Sequence, residues 1–108
     1  MIDPALRMLT KLARNNALAN HRLAQAVIGL DQFEFTARRV SFFPSLRATL
    51  NHILVIDWFY IDALEGGTLG PWAWENEEPF DTARALYAAQ RQSDEKLVAF
   101  CDALAIAD

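Results

Sequence analysis

The sequence has little that could cross-link or anchor it. Cys101 is the single cysteine among 108 residues, so no internal disulfide can form, and that usage suits a reducing compartment. No 18-residue stretch is free of polar residues. The longest candidate, Ile53 to Leu64, contains Asp57 and Asp62 and is too short to span a bilayer. The first sixteen residues have neither the apolar core nor the small-residue cleavage site of a secretory signal, so a cytoplasmic protein without membrane contact is expected. Positive charge is also scarce, with 10 basic against 14 acidic residues and a net charge of −4, which gives no field for phosphates and disfavours nucleic-acid binding. Absent too are a glycine-rich phosphate loop, C-x-x-C, H-E-x-x-H and G-x-S-x-G, so the common nucleotide, zinc-finger, zincin and hydrolase readings have no support.

Apolar content is plentiful. Hydrophobic residues make up 53% and charged residues 22%, the balance of one compact domain with a packed core. The chain is organised around Phe42 to Leu64. Pro44 and Ser45 open a helix that Glu65-Gly66-Gly67 closes. Its second half, Ile53 to Ile61, is apolar on nearly every side apart from Asp57, which predicts a buried central helix.

Two further long helices flank it. Asp3 and Pro4 are suited to the cap and first position of a helix that ends near Gly29, with Leu6, Leu9, Ala13, Ala17, Leu23, Ala24 and Val27 as its apolar stripe. Asn16 and Asn20 sit beside that stripe and are expected to tie the helix to a neighbouring backbone. A connector follows with a one-turn helix around Gln32 to Phe35, and Phe33, Phe35, Phe42 and Phe43 are expected to plug one end of the core. Asp81 or Thr82 caps the third long helix, which runs to about Leu104. Its middle, Gln90 to Glu95, is polar all round, so it should meet solvent there or be covered by something else.

Between the second and third long helices, Gly66 to Phe80 is longer than a plain connection, and loops of this size often frame sites. Trp72 and Trp74 either anchor that loop or cover a pocket, and Glu75, Glu77 and Glu78 read as a solvated edge. Of the two histidines, His21 falls among Arg14, Arg22 and Gln25 and reads as an exposed side chain. His52 has mainly apolar surroundings on its helix and reads as a core histidine with one hydrogen-bond partner.

The runs LARNNALANHRL and SFFPSLRATLNHILVIDWFYIDALEG resemble the opening half of the DinB/YfiT-like family of metal-dependent enzymes, over roughly residues 5 to 105. The most specific part is Ser45 to Trp58, with its serine, Thr-Leu-Asn-His and Asp57. The resemblance implies an all-α antiparallel helical bundle of four helices in a homodimer, with a divalent metal, zinc or nickel, held by three histidines. His52 matches the first of these ligands. The other two belong to an H-x-x-x-H pair on a fourth helix, which has no counterpart here. Residues 1–108 therefore read as a single, incomplete bundle with three long helices of the expected four. For the intact protein the resemblance implies metal-dependent chemistry, such as thiol S-transfer on a small substrate, with the Trp72 to Glu78 loop near the pocket mouth. Asp57, five residues past His52, points elsewhere on the helix and reads as a structural hydrogen-bonding or ion-pair partner. Two other classes stay open: a non-catalytic helical dimerisation module, and a pocket that binds a small molecule without chemistry.

Overall fold

The computed structural model describes residues 2–107. They form helix α1 (Pro4–Ile28), the short helix α2 (Gln32–Thr36), helix α3 (Leu46–Leu64), a 3₁₀ turn (Gly70–Trp74) and helix α4 (Ala83–Ala107), with no strand among the described residues. Each expected helix is present, and Asp3 and Thr82 cap theirs as expected. Asp3 accepts from the Ala5 amide at 2.7 Å, Asp31 from Glu34 at 2.8 Å, Ser45 from Ala48 at 3.0 Å and Thr82 from Ala85 at 3.2 Å. Helix α3 stops in a Schellman turn: Gly66 takes φ +79°, its amide donates to Ala63 and that of Gly67 to Asp62. Helix α4 continues past Leu104 to Ala107. None of the described helices is long and apolar enough to cross a membrane.

The packing order differs from the sequence expectation. Helix α4 lies along both α1 and α3 and is the element they share, so the central helix is α4 rather than α3. Leu54, Val55 and Ile61 of α3 are buried, but Ile53, Tyr60 and Leu64 are exposed, so α3 keeps an open side. An apolar composition on every face shows that a helix can be buried, not how many neighbours it has. The core joins Val27 of α1, Phe35 of α2, Leu54 of α3 and Leu86 of α4, with Leu46, Leu50, Trp58 and Phe80 against them. Of the four phenylalanines expected to plug its end, only Phe35 is buried. Phe43 is half-buried, while Phe33 and Phe42 face solvent.

The long loop before α4 is fastened by Asn51, which is 0% exposed. Its amide nitrogen donates to the carbonyls of Arg47 and Phe80, each at 2.9 Å, and its oxygen accepts from the Phe80 amide at 3.0 Å. Arg47 adds ion pairs to Glu78 at 3.2 Å and Asp81 at 2.6 Å. Trp74 packs on Phe59 with ring centroids 5.0 Å apart, and Ala73 is buried beside the turn. The anchoring role thus holds for Trp74, whereas Trp72 stands in solvent.

Truncating Asn51 leaves the Phe80 amide and carbonyl without partners in a partly buried place. Asn51→Ala is expected to lower stability by about 2–4 kcal/mol, read from urea denaturation. A loss below about 0.5 kcal/mol, the scale of an ordinary surface change, would contradict that role.

Candidate functional site

One set of polar groups inside the bundle converges on Asp94. Gln90 and Asp94 lie one turn apart on α4, Asn16 and Asn20 one turn apart on α1, and Asp57 on α3, so one layer draws on all three long helices. The Gln90 amide nitrogen donates to Asp57 Oδ2 and to Asp94 Oδ1, both at 2.9 Å. Asn20 donates to both Asp94 oxygens at 3.1 Å, and Asn16 to Oδ1 at 3.3 Å. Asp94 is 3% exposed. Among the described residues no Arg, Lys or His nitrogen pairs with either carboxylate.

Burial pushes the Asp94 carboxyl above its ordinary range, against the three amides that stabilise its charge. Burial also raises Asp57. The Gln90 hydrogen bond opposes that rise, and the nearby charge of Asp94 adds to it. Three sequence expectations are thereby settled. Asp57 is a hydrogen-bonding partner, as read. Asn16 and Asn20 reach a side-chain carboxylate rather than a backbone. In the polar middle of α4, Gln90, Ser93 and Asp94 turn inward, while Arg91, Gln92 and Glu95 meet solvent as expected. Periodicity could not show this, because a buried acid and an exposed one look alike until their donors are in place.

The histidines lie apart from this layer. His21 is exposed, as expected, and hydrogen-bonds through Nδ1 with the Tyr87 hydroxyl. His52 is exposed as well, so it is not the core histidine its apolar neighbours suggested. Its ring lies against Phe43, with centroids 4.5 Å apart, and Phe42 meets Phe43 edge-on at 4.9 Å. Neither nitrogen of His52 has a hydrogen bond among the described residues, so the imidazole is uncommitted. A metal centre of three protein ligands is not assembled around it: among the described residues no three His, Cys, Asp or Glu side chains gather at metal-binding distance. His52 does not by itself fit the three-ligand group that the sequence resemblance implies.

A groove runs beside the polar layer. Leu23 and Val27 of α1 form one bank, Leu50 and Ile53 of α3 the other, and Leu86 and Gln90 of α4 the floor, around a free volume of about 40 Å³. Leu23 and Ile53 are partly exposed along it. Met8 and Leu12 continue the exposed apolar stripe toward the start of α1. Sequence reading placed Leu23 on the apolar stripe but could not show that this edge of the stripe is uncovered.

A carboxyl whose pKa is raised by folding contributes stability that is full below its unfolded value and is lost as pH rises through the folded value. Asp102 runs the other way. It holds Arg14 by bonds of 2.8 and 2.7 Å, and Arg14 lowers its pKa, so its contribution is lost only below the ordinary carboxylate range. Between neutral pH and that range, acidification should therefore raise the thermal midpoint of the wild-type chain through the polar layer. The rise should be smaller in Asp94→Asn and in Asp57→Asn. Identical pH slopes in melts of all three proteins would contradict this titration.

Comparison with known proteins bears on this all-helical architecture. No curated protein sequence and no solved structure matches the chain. The model of the DinB family matches residues 1–106, nearly the whole length. By that match the chain belongs to the DinB family.

Proposed function

We propose that this DinB-family chain works by association, and that the groove between α1 and α3, with the apolar stripe beside it, takes a second copy of the chain. The observation that carries this reading is exposed area. The chain presents 7320 Å² to solvent at a mass of 12.2 kDa. A compact monomer of that mass exposes about 6,100 Å², so the excess is roughly 1,200 Å². A stable interface hides about 800 Å² on each partner, so the excess is of the right size. Shape agrees with area: the radius of gyration is 15.4 Å, against about 13 Å for a compact chain of this length. Met8, Leu12, Leu23 and Ile53 supply apolar side chains where such a contact would form.

A metal-dependent activity is the second reading, and a specific feature favours it. His52 is held on a regular helix, exposed, with both ring nitrogens unused. Such an imidazole is suited to donate to a divalent ion such as zinc or nickel, with two further donors from outside the described residues. In that reading the family's thiol-transfer chemistry on a small substrate would occur at a centre this chain supplies in part.

Sedimentation velocity separates the two. Association through this face predicts a dimer, which Leu23→Asp and Ile53→Asp weaken by about 100-fold or more, the scale of a charge placed in an apolar contact, with helical content unchanged. A monomer at every concentration would sink the association reading. Metal analysis tests the second reading: stoichiometric zinc or nickel in the wild-type chain, lost in His52→Ala, would support it, and its absence from both proteins would remove it.

A further inference from the structure

A second cleft lies at the far end of α3, between its last turns, the loop that follows and the middle of α4. It encloses about 330 Å³, near the lower end of the range for small-molecule sites. Trp58, Ile61 and Phe80 make its apolar wall, with the Trp58 and Phe80 rings edge to face at 6.1 Å. It is separate from His52, which sits roughly 20 Å back along α3 from Glu65 at the helical rise.

The polar groups of this cleft are largely unused. Ser93 is 3% exposed and lines the cleft, yet its hydroxyl has no hydrogen-bond partner. A buried hydroxyl without a partner costs free energy, so such groups are normally satisfied by protein, water or ligand. Glu65, Gln92 and Lys96 also line the cleft, and their side chains make no hydrogen bond or ion pair among the described residues. Asp62 differs: its Oδ2 already accepts from the Leu69 amide at 2.8 Å. The charges are arranged by sign. Glu65 caps the C-terminus of α3, where the helix carbonyls are also negative, and Lys96 lines the same cleft from α4.

We propose that this cleft binds a small amino-acid-like zwitterion with an apolar side chain. The ammonium meets Glu65 and the end of α3, the carboxylate meets Lys96, Ser93 supplies a hydrogen bond, and the side chain lies against Trp58 and Phe80. A purely apolar ligand would leave Ser93 unsatisfied, and a ligand of one charge would use only half of the polar rim. The inference is independent of association at the α1–α3 groove, which lies on other residues.

The test uses the full chain and four probes: L-phenylalanine, L-leucine, N-acetyl-L-phenylalanine and L-phenylalaninamide. Binding is followed by amide chemical shifts and Trp58 fluorescence. The expected result is saturable binding of one or both free amino acids, with shifts centred on Trp58, Ser93 and Lys96. Both phenylalanine derivatives should bind at least tenfold more weakly than the free amino acid. Lys96→Gln should abolish the advantage of the free amino acid over the amide, and Glu65→Gln its advantage over the acetylated form. Ser93→Ala separates binding from folding: it should weaken binding severalfold while leaving the melting temperature of the free protein equal or higher. No saturable binding, equal affinity for the derivatives, shifts centred elsewhere, or a lower melting temperature in Ser93→Ala would each overturn the proposal.

Discussion

A buried carboxylate satisfied by amides rather than by a cation sets the arrangement of this bundle. Asp94 receives hydrogen bonds from Asn16, Asn20 and Gln90, and Gln90 passes its second donor to Asp57. The acceptor on α4 can be satisfied only when α1 stands at one register beside it. The shared Gln90 amide then fixes α3 against the same turn. Apolar packing alone tolerates slippage between helices, whereas a buried charge left without its donors is costly. This explains why α4, the helix with the most polar centre, is the one both others pack against.

The candidate sites lie in different places around this layer. On one side, the α1–α3 groove exposes Leu23 and Ile53, the surface proposed for association. At the far end of α3, the cleft around Ser93 and Trp58 holds unused polar groups and an apolar wall. His52 occupies a third place, near the start of α3, against Phe43. Family membership sets the architecture but not which of these places acts, and their chemistry differs enough that each can be perturbed alone.

Much of the fold was legible because its signals are local. Asp3, Asp31, Ser45 and Thr82 cap helices through bonds to residues two or three positions on, and Gly66 takes the left-handed conformation that ends α3. The packing order was not legible, since it depends on contacts distant in sequence. Leu54 and Tyr60 are both apolar and lie on the same helix, yet one is fully buried and the other faces solvent. Asn51 shows the same limit. Its place in the Thr-Leu-Asn-His run is conspicuous, but its role as the clamp on Phe80 needs the loop folded back on α3. His52 reads as a core residue because Ala48, Val55 and Ile56, one turn away on its own face, are apolar, yet the imidazole lies at the exposed edge of that face.

The most direct measurement of the central claim is the titration of the Asp94 side-chain carboxyl carbon, followed by NMR in the folded chain. If amides hold a buried charge without a cation, Asp94 should titrate above the ordinary carboxylate range, as burial requires. A midpoint at or below that range, as an ion-paired or solvated carboxylate gives, would contradict the account of what aligns the three helices.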